Sequence, residues 1–238
     1  MVKQGPLHIA LEGTVNTRDV GGWPLRQGGL TRPGRLWRSD AFTHATDRDL
    51  DTLAHHRVRT VIDLRTAAER QEEPHPLEGD ARFEVIHIDL FGPVLAAFLR
   101  GEIHGDPYDL RTHYRASFEL ALQGYIEAFE GVERALDGHD GPVVVHCTAG
   151  KDRTGLITAL LLHGAGVDAD AIARDYALTA ERIAPIRDRL LADGVAKGFP
   201  RDSYERLLEA RAETLADVLQ GIDGALVAAA RVAARQLT

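Results

Sequence analysis

One stretch, residues 141–155 with the sequence GPVVVHCTAGKDRTG, constrains the fold of this chain more than any other. Gly141 and Pro142 interrupt the preceding helical pattern, and three consecutive valines then form a β-branched apolar run typical of a buried central strand. A small polar segment, residues 148–152, follows this strand, and Arg153 opens the apolar helical pattern LITALLL. The stretch therefore predicts a strand, a tight loop and a helix N-terminus in direct succession, as in an α/β domain.

The predicted loop combines an anion-binding backbone with a nucleophile. Successive N–H groups in a tight loop ahead of a helix point into one concavity, and the helix dipole adds positive potential there. Cys147 is the single cysteine of the chain and starts this loop, where the same field favours its thiolate form. Arg153 follows six residues later, where its planar guanidinium can bind a phosphate in bidentate fashion. A thiolate, an anion-binding loop and an arginine are the groups needed for phosphoryl transfer to sulfur.

At these residues the sequence resembles the Cys-based phosphatases, whose signature is His-Cys, five residues, Arg and then Ser or Thr. His146, Cys147, Arg153 and Thr154 match this signature. Residues 149–155, AGKDRTG, are similar to the bacterial atypical protein-tyrosine, dual-specificity and phosphoinositide phosphatase family, which has Lys and Asp inside the loop. The resemblance implies an α/β fold with a mostly parallel central sheet of about four or five strands and helices on both faces.

The resemblance also implies a role for each residue of the signature. Cys147 is the expected nucleophile, and Arg153 is expected to bind the phosphate. Asp152 is the expected general acid and base, because the family uses an Asp at this position and no Trp-Pro-Asp tripeptide occurs in the chain. His146 is expected to orient the loop, and Thr154 is expected to donate a hydrogen bond to the sulfur of the nucleophile.

The other residues of the loop are expected to bind the substrate. Lys151 would add positive charge for a substrate with a second phosphate or an acidic head group, so phosphoproteins and phosphoinositides are both expected substrates. A solvated ion pair between Lys151 and Asp152 is the alternative, and it would contribute little free energy. The substrate-binding residues that we expect are Thr148, Ala149, Gly150 and Lys151.

Three segments far from the loop also resemble elements of the family. Residues 16–23, NTRDVGGW, are turn-rich, and residues 34–40 and 175–179 read GRLWRSD and DYALT. We interpret the first segment as a structural turn in which Arg18 and Asp19 pair with each other. Direct contact with the substrate is the alternative for these two residues.

A second predicted strand contributes a candidate supporting residue. Residues 58–64 read as a buried strand, and the charged residues Asp63 and Arg65 lie at its end. Because ligands of open α/β sheets bind beyond the carboxyl ends of the strands, both side chains can reach the loop. Asp63 is therefore a supporting site residue, whose alternative role is to orient a neighbouring loop.

The remaining patterns are mostly helical. Thr46 is a predicted N-cap for a helix over residues 47–56, which has acidic residues in its first turn. Residues 69–76 are a predicted charged connection, and residues 108–136 form one long helical pattern. The Ala-rich residues 224–237 are expected to pack on the domain, with self-association or contact with a membrane surface as alternatives.

Length and composition limit the class of protein. The 238 residues suit a single domain, with a helical lid inserted at about residues 92–125. The formal net charge of −8 disfavours a broad nucleic-acid surface, and one cysteine excludes an intrachain disulfide.

No signal-peptide core or bilayer-spanning run occurs, so a cytoplasmic location is expected, with unconventional export open. The oligomeric state stays open.

Competing motifs fit the sequence less well. A nucleotide-binding P-loop needs Ser or Thr after its Lys, whereas Asp152 follows Lys151. The eleven histidines show no zinc-site spacing, and no metal or organic cofactor is expected. Rhodanese-like sulfur carriers and arsenate reductases also use a Cys loop, but the arginine position and the Thr154-Gly155 ending favour phosphate esters. A phosphate-ester-binding module with weak or lost catalysis remains the alternative to a phosphatase.

Overall fold

The computed structural model of the chain describes residues 6–103, 106 and 108–238. Within these residues six strands form one sheet, and helices separate the last four strands from one another, in agreement with the α/β prediction. The strands are β1 Leu7–His8, β2 Arg18–Asp19, β3 Leu36–Ser39, β4 Thr60–Asp63, β5 Glu84–His87 and β6 Val143–His146.

Eleven α-helices occur in the same described residues. Short 3₁₀ turns lie at Pro76–Gly79, Ala184–Ile186 and Ala234–Leu237. The helices are α1 Asp47–His55, α2 Ala67–Glu72, α3 Gly92–Leu99, α4 Leu110–Leu120, α5 Leu122–Gly138, α6 Asp152–Ala165, α7 Ala169–Arg182, α8 Arg187–Ala196, α9 Arg201–Leu207, α10 Ala212–Leu219 and α11 Gly224–Ala233.

The sheet is mostly parallel, with strand order β1-β2-β3-β6-β4-β5. β6 lies between β3 and β4 and is parallel to both, and β5 continues the parallel part beside β4. β1 and β2 extend the other edge in antiparallel orientation. The sheet thus has six strands instead of the four or five expected. β1 and β2 have only two residues each, which is too short for an alternating sequence pattern.

Both faces of the sheet are covered, which explains the uninterrupted valine run of β6. Val143 and Val145 belong to a large core that also includes buried residues of α5, α6, α7, α10 and α11. Val144 belongs to a second core, which it shares with Leu50 and Leu53 of α1. Because successive strand side chains point to opposite faces, a strand buried on both sides needs apolar residues at every position.

The predicted N-cap of α1 is confirmed, whereas two other patterns are corrected. The Thr46 hydroxyl accepts the N–H of Asp49 in a capping box. The helical pattern over residues 108–136 corresponds to two helices, because α4 ends at Leu120, α5 begins at Leu122, and Ala121 caps both. The expected charged connection contains helix α2, whose capping box involves Thr66 and Glu69. The sequence did not predict α2 because this helix has only six residues and none of them is buried. It therefore has no apolar stripe that a helical pattern would reveal.

The expectation that the C-terminal segment packs on the domain is confirmed. Leu226, Ala230 and Ala233 of α11 are buried in the large core. Gly164 of α6 approaches α11 so closely that a Cβ atom there would lie 2.8 Å from the backbone of Ala230. Small residues therefore set the distance between these two helices.

The segment predicted as a lid contains α3, α4 and the beginning of α5. Residues 104, 105 and 107 of this segment lie outside the described residues. Across the described ranges of the chain, no helix combines the length and apolar character needed to cross a membrane.

Candidate active site

The loop after β6 lies at the carboxyl end of the central strand, between neighbours on both sides. β6 ends at His146, and α6 begins at Asp152. Cys147, at the start of the loop, is only 2% exposed. The predicted succession of strand, loop and helix is confirmed, and it places the cysteine beside the N-terminus of a buried helix.

The carbonyl oxygens of the loop accept hydrogen bonds from residues of the N-terminal part of the chain, which lie on the side of the loop that faces the protein interior. Asn16 Nδ2 donates to the carbonyl oxygens of Ala149 at 3.0 Å and Gly150 at 3.2 Å. Arg38 Nη2 donates to the Gly150 oxygen at 2.7 Å, and the Ala41 N–H donates to Thr148 O at 3.0 Å. Because the C=O and N–H of a planar peptide unit point in opposite directions, these contacts turn the N–H groups to the other side. N–H groups that face one side in this way are the arrangement that an anion-binding loop requires.

Gly150 is required by the geometry of this loop. Its φ of +64° lies in the left-handed region, which favours glycine. A Cβ atom at this position would lie 2.4 Å from the carbonyl oxygen of Ser39 in β3. The loop can therefore approach the neighbouring strand only with glycine here.

A buried ion cluster supports the residues behind the loop. Asp175 of α7 pairs with Arg38 at 2.6 Å and with Arg18 at 3.3 Å. Burial alone would raise the pKa of Asp175, but the charges of the two arginines lower it. Arg18 also contacts the side chain of Asn16, so the cluster extends to the residue that binds the loop.

The expected pair between Arg18 and Asp19 does not form. Successive residues of β2 point to opposite faces of the sheet, so the two side chains have different partners. Asp19 accepts the N–H groups of Gly21 at 2.8 Å and Gly34 at 2.5 Å. Arg18 and Asp19 are nevertheless both buried, in agreement with the structural interpretation of this segment.

Arg153 is anchored by Glu69, a residue that sequence reasoning did not select. Its Nη1 and Nη2 atoms contact the two carboxylate oxygens of Glu69 at 2.6 and 2.8 Å. Thr148 Oγ1 donates to the same carboxylate at 2.5 Å. The guanidinium carbon also lies 5.5 Å from the ring centroid of Phe91. A bidentate pair and an aromatic ring therefore hold the guanidinium at one orientation.

The pKa values of this pair keep both groups charged. Burial alone would raise the pKa of Glu69, but hydrogen bonds and charge from Arg153 lower it to about 2. Burial alone would lower the pKa of Arg153, yet its hydrogen bonds with Glu69 and the negative charge of that carboxylate raise it. Both groups of the ion pair are therefore charged at neutral pH.

Asp152 and Lys151 form a direct ion pair at the start of α6. Lys151 Nζ lies 2.5 Å from Asp152 Oδ1. The lysine side chain is 1% exposed, whereas the aspartate side chain is 41% exposed. The hydroxyl of Tyr114 in α4 donates to the same oxygen and lies 2.6 Å from the hydroxyl of Tyr176 in α7.

Lys151 remains charged despite its burial. Burial alone would lower its pKa, but the charge of Asp152 and hydrogen bonds with Asp152 and Tyr176 raise it. Its Nζ also donates to the carbonyl oxygen of Glu209 at 3.2 Å. The ammonium is thus directed into the protein, and its expected contact with a second phosphate stays a prediction.

His146 and Asp63 lie beneath the loop and are fully buried. The His146 Nδ1–H donates to the carbonyl oxygen of Cys147 at 3.2 Å, and burial lowers the pKa of His146 to about 4. Asp63 is bound by Arg65 Nη2 at 2.8 Å. Burial alone would raise the pKa of Asp63, but His146, His75 and Arg65 hold it well below its usual range. A buried, strongly ionised Asp63 suits an orienting role better than proton transfer.

Asp63, His75 and His146 form a cluster that histidine spacing did not reveal. One potential ligand atom from each lies within 4.8 Å of the others, and all three residues are buried. Arg65 and Arg70 contact the same Asp63 carboxylate, at 2.8 and 3.5 Å. Their positive charge disfavours a cation at this position.

Thr154 is buried in the first turn of α6. Among the contacts of the described residues, its hydroxyl has no hydrogen-bond partner. The expected hydrogen bond to the Cys147 sulfur therefore stays a prediction.

The structure gathers the predicted loop residues at one end of the sheet and adds residues that the sequence did not indicate. Glu69 carries one detectable signal, since Thr66 and Glu69 have the spacing of a capping box. Tyr114 carries no local signal, because its contact depends on how α4 packs against α6 and α7. Asn16 and Asp175 lie in segments that resemble the family, and the structure gives these segments a supporting role behind the loop.

Comparison with known proteins identifies the family to which this chain belongs. The sequence model of the tyrosine phosphatase family matches residues 9–228. A candidate tyrosine-protein phosphatase of Cupriavidus necator is 33% identical over 232 residues, which cover 92% of this chain and 80% of the relative. A tyrosine-protein phosphatase of Nostoc commune is 36% identical over 174 residues, or 71% of this chain and 53% of the relative. The triple specificity protein phosphatase PtpB of Mycobacterium tuberculosis is 27% identical over 243 residues, or 93% and 86% of the two chains. The chain therefore belongs to the tyrosine phosphatase family, as its loop signature predicts.

Proposed function

We propose that this protein hydrolyses phosphate monoesters through a phosphocysteine intermediate on Cys147. One observation carries the proposal: the loop that begins at Cys147 has its carbonyl groups bound from behind by Asn16, Arg38 and Ala41. Its N–H groups and the helix N-terminus are therefore directed at the position where an anion would meet the sulfur.

In the first step, the Cys147 thiolate attacks phosphorus in line with the bond to the leaving group. The sulfur–phosphorus bond forms while the phosphorus–oxygen bond to the alcohol or phenol breaks. The loop N–H groups and Arg153 stabilise the charge on the equatorial oxygens. Asp152, whose side chain is 41% exposed, donates a proton to the departing oxygen.

In the second step, water attacks the phosphorus of the phosphocysteine. Asp152, now a carboxylate, accepts a proton from this water, and the sulfur leaves as a thiolate. Inorganic phosphate is released, and Asp152 is protonated again for the next cycle. Buried Lys151 and Tyr114 stay in contact with the Asp152 carboxyl group throughout.

The substrates that we propose are phosphotyrosine, phosphoserine and phosphothreonine in proteins, and phosphoinositides. The name of the Mycobacterium tuberculosis relative includes the words triple specificity, which supports more than one substrate class. The formal net charge of −8 supports local binding of phosphate, not a broad contact with nucleic acid.

A substrate panel tests the proposed function. Phosphate release is measured in EDTA from p-nitrophenyl phosphate, from peptides with each of the three phosphorylated residues, and from phosphoinositide vesicles. We expect metal-independent release that disappears in Cys147→Ser, and the ranking of the panel identifies the preferred substrate class. Binding of phosphate esters without any release would favour a phosphate-ester-binding module.

The pair between Glu69 and Arg153 leads to a separate prediction. Glu69→Gln removes the charge and one of the two acceptors that hold the guanidinium, so we expect kcat/KM for p-nitrophenyl phosphate to fall about tenfold. Glu72→Gln is the matched control, because Glu72 lies in the same helix and forms an exposed pair with Lys197 at 3.4 Å. An unchanged or increased kcat/KM in Glu69→Gln would contradict the anchoring role.

We also propose that the protein works in the cytoplasm. The nucleophile assigned to Cys147 has to remain a thiol, and a reducing compartment maintains it in that state. Cell fractionation tests the location, and recovery of the protein from the culture medium would contradict it.

A further inference from the structure

The carboxyl group of Asp152 is held through only one of its two oxygens. Oδ1 accepts hydrogen bonds from Lys151 Nζ at 2.5 Å and from the Tyr114 hydroxyl. Both donors are buried, with 1% of Lys151 and 3% of Tyr114 exposed. Within the described residues Oδ2 has no hydrogen-bond partner, and the Asp152 side chain is 41% exposed.

The proton of Tyr114 is directed at Asp152. Burial raises the pKa of Tyr114 well above its ordinary value, and the charge of Asp152 raises it further. Tyr114 therefore keeps its single hydroxyl hydrogen and donates it to Asp152. The Tyr176 hydroxyl, 2.6 Å away, then donates to the Tyr114 oxygen. Lys151 Nζ donates to the same Asp152 oxygen, so Asp152 is linked directly to Lys151 and Tyr114, and through Tyr114 to Tyr176.

We propose that Tyr114 is a positioning residue that orients Asp152 so that Oδ2 carries the transferable proton towards the leaving group. The inference rests on the proposed function, in which Asp152 is the general acid. Two donors on Oδ1 stabilise negative charge there, so a proton on the carboxyl group resides on Oδ2. The two donors thus select both the rotamer of Asp152 and the oxygen that transfers the proton.

The position of Tyr114 is determined by packing between helices. Its ring meets the ring of Tyr176 edge to face, with centroids 6.4 Å apart and an interplanar angle of 88°. Tyr176 in turn lies against α6, where a Cβ atom on Gly155 would approach its ring to 2.9 Å. The inserted helix α4 therefore contributes a group to the active site through a contact that α6 and α7 hold in place.

The test is Tyr114→Phe, which removes only the hydroxyl group. Initial rates are measured with p-nitrophenyl phosphate, whose leaving group needs little protonation, and with phenyl phosphate, whose leaving group needs more. We expect kcat for phenyl phosphate to fall about tenfold, while KM for both substrates and kcat for p-nitrophenyl phosphate change less than about twofold. Loss of a purely structural contact would instead lower both kcat values in parallel.

Tyr125→Phe is the matched control. Tyr125 is also fully buried, and its hydroxyl is 2.9 Å from the hydroxyl of Ser117. We expect this variant to keep the wild-type ratio of the two kcat values. An unchanged ratio in Tyr114→Phe would overturn the positioning role, provided that the wild-type enzyme releases phosphate.

A crystal structure of Tyr114→Phe separates this inference from the proposed function. If the wild-type protein released no phosphate, the proposed function would fail, and the structure would still test whether Tyr114 orients Asp152. We expect the Asp152 side chain to leave its wild-type rotamer in the variant. An unchanged position of both carboxyl oxygens would show that Lys151 alone is sufficient to orient Asp152.

Discussion

Cys147→Ser is expected to lower kcat for p-nitrophenyl phosphate by at least about 10⁴-fold, because a serine hydroxyl at this position stays protonated and is a poor nucleophile. The loop carbonyls would still be bound by Asn16 and Arg38, and Arg153 would still be held by Glu69. Affinity for a phosphate ester should therefore stay within about tenfold of the wild-type value. Steady-state kinetics measures the first effect, and isothermal titration calorimetry with a phosphate ester measures the second.

The chain has a single cysteine, so thiol labelling reports on Cys147 alone. Iodoacetamide should modify one site in the wild-type protein, abolish its turnover and leave Cys147→Ser unmodified. Inorganic phosphate should protect the wild-type protein, because the anion occupies the loop in front of the sulfur. Undiminished turnover by Cys147→Ser would refute the assignment of the nucleophile.

Asp152→Asn is expected to have the second largest effect, and the size of that effect should depend on the leaving group. The amide can accept the hydrogen bonds of Tyr114 and Lys151, but it cannot transfer a proton to the departing oxygen. We expect kcat for phenyl phosphate to fall about 10²- to 10³-fold and kcat for p-nitrophenyl phosphate to fall less than about tenfold. A plot of log kcat against the acidity of the leaving group over a series of aryl phosphates measures this dependence.

Asp170→Asn is the control for this variant. Asp170 is an exposed acidic residue in the first turn of α7, as Asp152 is an acidic residue in the first turn of α6. Both substitutions remove a favourable charge from a helix N-terminus, but only Asp152 contacts Tyr114 and Lys151. Equal losses with all leaving groups in Asp152→Asn would indicate that another group supplies the proton.

Local patterns in the sequence were sufficient to predict the central strand, the loop after it and the starts of two helices. The valine run predicts β6 because a strand covered on both faces needs apolar residues in succession. The polar loop and the apolar pattern that follows predict the N-terminus of α6, and Thr46 predicts the start of α1. These features depend on neighbouring residues, so they can be recognised without any knowledge of the tertiary structure.

The contacts that hold the reactive groups were decided only by the tertiary structure. Glu69 precedes Arg153 by 84 residues, and Tyr114 precedes Asp152 by 38 residues. Their spacing carries no periodic signal, because it depends on how α2 and α4 pack at the carboxyl end of the sheet. Lys151, which the sequence analysis expected to bind the substrate, is buried with its side chain only 1% exposed. The chain therefore specifies the Cys147 loop locally, while helix packing orients Arg153 and Asp152.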